Sequence, residues 1–393
     1  LYHRSDNDFQ RLRFSIPELY AYLYTDSPIL RFHAGIERRK MTFRTAVLMV
    51  TALVVLAGCG GAPPEQPAAE PEPAEAPVPV LMDAEVAAKA GDYDMAISII
   101  RDILSGNTDD IEALRLLARV QAASGDRSGS SATWEKVAYL DPYDPDAAYE
   151  TGMRMAKKGD WEEVRAKMVS LDAAGKADAR HYLLAGQADL ELGYRTEAEK
   201  FLLQAGDLEL AQSLLGRLYY DRGDLASAEK AFRRTLDIND SDYTANLHMG
   251  YINYHERKYR SAIRYYTAAH KAEPSDPMAC LSLAAAFEKS GDRVSAIEYY
   301  RKGLDLKGID PSERKKVYTT TARLLLETGQ LDEVGNLASA GAGEFSAAGG
   351  LYFYWGEALL KQGSKAEAKE KYKKAAEDPQ WKDSALKRFH SIR

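Results

Sequence analysis

The sequence predicts an all-α chain built as a stack of about nine helical hairpins. Two observations support this prediction. From Leu81 onward a glycine recurs at a fixed interval, and Gly91, Gly125, Gly159 and Gly193 stand 34 residues apart. Small and large side chains also recur at constant distances from these glycines. A fixed period of this length is typical of a repeated supersecondary unit.

The recurring position continues at Gly223, Arg257, Gly291, Gly329 and Gly363. Seven residues before each of the nine positions stands a small residue, in order Ala84, Ala118, Gly152, Gly186, Gly216, Gly250, Ala284, Ala322 and Gly356. Nine residues after it stands a larger side chain in all units except the one with Ala338, in order Ile100, Trp134, Met168, Leu202, Phe232, Tyr266, Tyr300 and Tyr372. Agreement at one phase in so many units excludes chance placement of glycine.

A helical hairpin explains the pattern. The glycine ends the first helix in a left-handed conformation that costs glycine little, and the small residues let two antiparallel helices approach closely. The large residue is expected to fill the gap against the next unit. The pattern resembles the tetratricopeptide repeat, which has this 34-residue helix–turn–helix period. That resemblance covers the repeats at 81–380 and implies a right-handed superhelix, an α-solenoid.

Departures from the period predict local irregularities. The chain is four residues short between Ala198 and Gly216, about one helical turn, and four residues long between Ala296 and Ala322. The first unit lacks the full first-helix pattern, and units eight and nine are degenerate around 335–350. We expect bending or loosening of the superhelix at these places.

The last residues, 381–393, predict a single amphipathic helix. After Pro379 the apolar side chains recur at helical spacing, as Trp381, Ala385, Leu386, Phe389 and Ile392. Such an array needs a terminal element that covers its last hydrophobic face. We therefore interpret 381–393 as a capping helix.

The stretch 46–58 is apolar apart from Thr51, follows Arg44 and ends in Leu-Ala-Gly before Cys59. Thirteen helical residues span roughly 20 Å, too short for the ~30 Å bilayer core, so 41–58 reads as a signal peptide. Its end resembles the lipobox of bacterial lipoproteins, which implies cleavage before Cys59 and lipid on its thiol. A buried apolar strand with a chance cysteine is the alternative.

Residues 1–40 resemble no targeting segment. We interpret them as an upstream extension before a start at Met41, with a genuine cytoplasmic extension as the alternative. Residues 59–80, rich in Pro, Ala and Glu, cannot bury a core and predict a lipid-anchored tether. The residue after the cysteine is Gly60 and not aspartate, and the resemblance to bacterial lipoproteins then implies export to the periplasmic face of the outer membrane of a Gram-negative bacterium.

Composition and motifs weigh against nucleic acid and catalysis. The chain has a net charge of −7, and phosphate binding needs a basic surface. There is no nucleophile elbow, phosphate-cradling glycine loop or His-Glu-x-x-His motif. His248 and His255 share one helical face without a carboxylate or cysteine partner, so we expect neither a metal nor a cofactor. Cys280 is expected to be a small core residue.

Candidate binding residues come from the repeat. In tetratricopeptide arrays the residues thirteen, ten, six, three and two before the turn are exposed in a concave groove. Applied to units five and six, this rule selects an aromatic set as the predicted partner site: Arg217, Tyr220, Tyr251, Tyr254 and His255. Tyrosine and arginine often dominate interface energies. The alternative, that these rings only pack between neighbouring helices, stays open.

The function that the two resemblances imply is protein binding. We expect a membrane-anchored scaffold or adaptor in envelope assembly, serving pilus, outer-membrane or wall-enzyme complexes. One rival is a self-associating structural lipoprotein, a homo-oligomer whose groove takes a neighbouring copy. The other is an enzyme with an unrecognised site, which would need a titratable cluster in a pocket.

Overall fold

The computed structural model describes residues 80–345 and 347–392. Within these ranges every regular element is a helix, and there are nineteen. In chain order, α1 to α19 are Leu81–Lys89, Tyr93–Gly106, Ile111–Ser124, Arg127–Leu140, Pro145–Lys158, Trp161–Ala173, Ala179–Glu191, Arg195–Gln204, Glu209–Arg222, Leu225–Ile238, Tyr243–His255, Tyr259–Ala272, Pro277–Ser290, Arg293–Asp305, Pro311–Glu327, Leu331–Glu344, Gly349–Lys361, Lys365–Ala375 and Lys382–Ser391. The predicted extension 1–40, the signal peptide 41–58 with the following Cys59, and the tether up to 79 lie outside the described residues.

The helices pair as predicted. Helices α1 to α18 form nine hairpins, each with a first and a second helix, and α19 follows alone. The all-α repeat of helical hairpins is thereby confirmed for the described residues. No helix among them is both long enough and apolar enough to cross a membrane.

Aspartate sets the start of many helices. A side-chain oxygen accepts a hydrogen bond from a backbone N–H of the first turn, which satisfies a donor that has no partner within the helix. The distances are 2.8 Å from Ala147 N to Asp144 at α5 and 3.1 Å from Ser227 N to Asp224 at α10. Proline occupies the first helical position of α5, α13 and α15, where its fixed φ suits the helix.

The turn of each hairpin has the predicted backbone. The eight glycines at the recurring position have φ between 79° and 91°, in the left-handed region. The ninth position is Arg257, with φ of 60°, and no other non-glycine residue of the described chain has a positive φ. The register therefore imposes the left-handed turn on Arg257, although its Cβ makes this conformation costly.

The paired small and large residues contact each other inside one hairpin. A Cβ placed on Gly216 would lie 2.5 Å from Cε1 of Phe232, and one on Gly250 would lie 2.5 Å from Cδ1 of Tyr266. The prediction that the large residue fills the gap against the next unit was therefore incomplete. Phe232 lies over the glycine of its own hairpin and also stacks on His248 of the next, with ring centroids 5.0 Å apart.

The departures from the period appear as changes in helix length. Helix α8 has ten residues, which accounts for the missing turn, while α15 has seventeen and follows a loop that ends at its cap Asp310. Helix α1 forms with only nine residues. Helix α16 is continuous over Leu331–Glu344, so the degenerate sequence there remains helical.

The described residues divide into two compact units, and the division falls after Thr133, inside α4. The described part of the first unit has a core that includes Ala84, Ile100 and Val120. In the second unit, cores form between consecutive hairpins, and first helices of neighbouring hairpins such as α9 and α11 also contact one another. Cys280 is completely buried, which confirms its predicted place in the core.

The capping helix is confirmed as α19. Ala385 is completely buried and Ile392 nearly so, and both belong to a core cluster with Tyr372 of the last hairpin. The side chain of Arg388 adds a polar contact, since its Nε donates to Oε1 of Glu357 on α17 at 2.5 Å. Tyr372 donates to the same oxygen at 2.8 Å. The cap is therefore held by apolar burial and by a shared carboxylate.

Candidate functional site

The five predicted site residues lie on two first helices that contact each other in the second unit. Helix α9 carries Arg217 and Tyr220, and α11 carries Tyr251, Tyr254 and His255. Both helices are held against their second helices at a glycine, where the ring of Phe232 or Tyr266 replaces a side chain. The repeat thus fixes the backbone that presents the site.

Four of the five side chains form one continuous series of ring contacts. The Tyr220 and Tyr251 centroids are 5.2 Å apart with planes at 82°, an edge-to-face pair across the two helices. The Tyr251 and His255 centroids are 4.1 Å apart, and those of Tyr254 and His255 are 5.6 Å apart. Such pairs contribute about 0.5–1.5 kcal/mol beyond area burial. The structure therefore brings these four residues together.

The exposure of the set is mixed. His255 is exposed, whereas Arg217, Tyr220, Tyr251 and Tyr254 are half-buried. Ser213, which the same groove rule placed among the exposed positions, is only 3% exposed, so the rule is wrong there. The tyrosine rings pack on one another and also keep a solvent-facing edge. The tyrosine rings therefore contribute to packing between the hairpins and are also accessible to a partner.

His248 belongs to this surface and was not predicted as part of it. Its ring lies edge-on to Tyr220, with centroids 4.8 Å apart, and is stacked on Phe232. Its Nδ1 is 2.8 Å from the carbonyl oxygen of Thr244, to which it donates. The repeat register could have indicated that this position is packed, because Leu184 and Leu214 occupy it in the two preceding hairpins and are buried.

The electrostatics favour a neutral aromatic surface. Burial, helped by the positive charge of Arg217 and opposed by the hydrogen bond to Thr244, lowers the pKa of His248 to about 4. Burial also lowers the pKa of His255. Burial, followed by the Tyr251 hydroxyl, raises the pKa of Tyr220 above its usual value. Near pH 7 the two imidazole rings are therefore neutral and the Tyr220 hydroxyl is protonated.

This arrangement is suited to binding, because half-buried aromatic rings lie together beside an exposed imidazole. The ring of His248, which shares a helical face with His255, lies between the rings of Tyr220 and Phe232. Among the described residues no three or more His, Cys, Asp or Glu side chains are grouped so that they could hold a metal ion.

A second aromatic group, which the sequence pattern did not indicate, lies on α17. Trp355 stacks on Tyr352, and Lys371 Nζ lies 3.9 Å from the centroid of the Trp355 ring. Phe353 and Tyr354 both contact Trp381, next to the capping helix. These rings join the last hairpin to its cap, and we assign them a structural role.

Comparison with known proteins supports the repeat. A family model described as tetratricopeptide repeat matches residues 213–259 and 254–313, which include all five predicted site residues. No curated protein matches the chain. The matching ranges lie mainly in hairpins five to seven.

Several solved structures are similar to this chain at low sequence identity. A tetratricopeptide repeat protein from Parabacteroides merdae is 15% identical over 71% of this chain and 97% of that one, with a TM-score of 0.39. MamA from Desulfovibrio magneticus is 20% identical over 41% and 93%, with a TM-score of 0.35. PilW, a type IV pilus biogenesis factor, is 14% identical over 56% and 89%, with a TM-score of 0.34.

Proposed function

We propose that this chain is a membrane-anchored tetratricopeptide-repeat lipoprotein that acts as a protein-binding scaffold or adaptor in assembly of the bacterial envelope. Its repeats bind other proteins, and lipid on Cys59 holds them near the outer membrane. The single observation that carries the binding role is the half-exposed ring series from Tyr220 to His255, in the region that matches the repeat family.

Several properties support the ring series as a partner site. Tyrosine loses little conformational entropy on binding and offers both an apolar ring and a hydroxyl. The rings of Tyr220 and Tyr251 already contact each other, so the surface is organised before a partner arrives. Preorganisation reduces the cost of binding. His255, exposed at the end of α11, extends this surface toward solvent.

The binding role is tested by crosslinking the full chain in intact cells and identifying captured proteins by mass spectrometry. Changing Tyr251→Ala and Tyr254→Ala together should weaken partner capture by a factor of about 30 or more, since a central anchor typically contributes ~2 kcal/mol. Tyr139→Ala is the matched control, because Tyr139 is an aromatic residue that is 85% exposed and lies on α4. This control should capture partners as the wild type does.

Since Tyr251 and Tyr254 are half-buried, the double variant also needs a melting measurement. His255→Ala removes an exposed side chain and two ring contacts, so it should lower the melting temperature by much less than the double variant while weakening capture several-fold. A double variant that melts many degrees lower, together with normal capture by His255→Ala, would show that the rings are purely structural. Normal folding and normal capture in both variants would place binding elsewhere.

The anchor is tested separately. Changing Cys59→Ala should move the protein from the membrane fraction to the soluble fraction, since stable anchoring takes two or more lipid chains. Cys280→Ala is the matched control, because that thiol is buried in the core and burial raises its pKa to about 11. Unchanged fractionation of Cys59→Ala, with no lipid on the wild type, would remove the anchor from the proposal.

A further inference from the structure

The first hairpin presents an uncovered apolar surface. Met82 is 72% exposed, Val86 61% and Met95 56%. Met82 and Val86 are four residues apart and therefore lie on one side of α1, whereas Ala84 and Ala87 on its other side are buried. Met95 stands at a position that holds glycine, serine or glutamate in the other eight hairpins.

The repeat register shows that this side is a stacking face. Val86 lies five residues before its turn, and in seven of the other eight hairpins the residue at that position is apolar and at most 4% exposed: Val120, Ala188, Leu218, Ile252, Ala286, Leu324 and Ala358. Ile252, for example, lies in one core cluster with Ala228 and Phe232 of the preceding hairpin. Among the hairpins that the structure describes, the first alone has an exposed residue at this position.

The sequence directly before α1 does not have the pattern of a repeat hairpin. Residues 60–80, which directly precede α1, contain seven prolines, and proline is excluded from helix interiors. The exposed face of the first hairpin is therefore a stacking face with no repeat hairpin directly before it in the sequence.

The charges at the two ends of the chain indicate which partner fits the exposed face of the first hairpin. Residues 81–112 hold eight Asp and Glu against two Lys and Arg, so two first hairpins would repel each other, and an anionic membrane would repel this face as well. Residues 361–393, at the other end of the chain, hold ten Lys and Arg against five Asp and Glu. Lys373, Lys382 and Lys387 are exposed there, and Phe389 on α19 is half-buried.

We propose that the acidic, apolar face of the first hairpin binds the basic C-terminal end, α18 and α19, of a second copy of this chain. The contact is head-to-tail, so that each copy keeps one free end of each kind and the association is open-ended. The aromatic ring series from Tyr220 to His255 takes no part in it. The proposal therefore stands independently of the proposed function.

The test measures mass against concentration by analytical ultracentrifugation of the full chain carrying Cys59→Ala, which prevents acylation. We expect concentration-dependent oligomers that dissociate at high salt. Val86→Glu should raise the dissociation constant about tenfold or more, equivalent to ~1.4 kcal/mol. Lys382→Glu with Lys387→Glu should have a similar effect. Val294→Glu is the matched control, since Val294 is 70% exposed on α14 and should not matter.

Mixing the variants distinguishes the contact from its alternatives. The Val86→Glu chain keeps an intact basic end and the Lys382→Glu, Lys387→Glu chain keeps an intact first hairpin, so their mixture should form one-to-one dimers and nothing longer. Dimers of the lysine variant alone would instead show a symmetric contact between first hairpins and overturn the proposal. A wild type that is monomeric at every concentration would also overturn it. So would a monomer that binds phosphatidylglycerol vesicles through Val86.

Discussion

Gly216 on α9 and Phe232 on α10 are complementary in size within one hairpin. A Cβ on Gly216 would lie 2.5 Å from Cε1 of Phe232, a distance that real side chains do not tolerate, and Phe232 is completely buried. The pair stands sixteen residues apart, the same separation as Gly250 and Tyr266. Alanine is normally favoured over glycine within a helix. Gly216 is therefore explained by the Phe232 ring, which leaves no space for a methyl group.

We predict that the effect of Gly216→Ala on stability changes sign when Phe232 is replaced by alanine. In the wild type the methyl group overpacks the core, and stability should fall by about 1–3 kcal/mol. In the Phe232→Ala background, which itself costs ~3–5 kcal/mol, the clash is gone and alanine should stabilise the helix by about 1 kcal/mol. Urea denaturation of the four proteins measures this cycle. Equal effects in both backgrounds would mean that the ring does not determine the glycine.

Arg257 is predicted to be a stabilisation site. Its φ of 60° places it in the left-handed region, where a side chain costs roughly 1 kcal/mol that glycine avoids. Arg257→Gly should therefore raise the melting temperature by a few degrees. Arg260→Gly, three residues later and exposed within α12, should lower it, because glycine there weakens a regular helix. Calorimetry of both variants checks the opposite signs.

The contact between Glu357 and Arg388 should determine how firmly the cap is held. The Glu357 side chain is 11% exposed, so Arg388→Ala leaves a nearly buried carboxylate with a lost charge-assisted partner. We expect a loss of about 1–3 kcal/mol and faster hydrogen exchange in α19. Lys387→Ala, at the exposed neighbouring position, should change stability by less than ~0.5 kcal/mol. Similar losses in both variants would contradict a specific role for this ion pair.

His248 predicts a loss of stability in acid. Its pKa is lowered to about 4 in the folded chain, mainly by burial, whereas the unfolded chain binds this proton near pH 6.5. Stability from neutral His248 is therefore complete above pH 6.5 and is lost as the pH falls toward 4, by an amount on the order of 3 kcal/mol.

The measurement compares urea denaturation of the wild type and His248→Phe between pH 7.5 and 4. Asp242, whose pKa burial raises to about 6, acts in the opposite direction, but both proteins contain it. The variant should keep the ring packing and lose less stability on acidification. Parallel pH profiles of the two proteins would contradict the prediction.

The candidate site was only partly predictable from the sequence. The register identified Tyr220, Tyr251, Tyr254 and His255 because each first helix exposes the same positions, and the structure places their rings in contact. The register wrongly places Ser213, which is buried, among the exposed positions, and it does not include His248 in the site. Both depend on how two neighbouring hairpins pack, and a rule built on single-helix periodicity does not include that packing.

The all-α class, the positions of the hairpin turns, their left-handed backbone and the capping helix were predictable without coordinates. These follow from local physics: glycine where φ is positive, aspartate at helix starts, and apolar side chains at helical spacing. Only the packed structure shows that Phe232 lies over Gly216 and against His248, and that Val86 is exposed where its counterparts are buried. Those relations depend on which neighbouring hairpin occupies the space, and the spacing along the chain does not specify that.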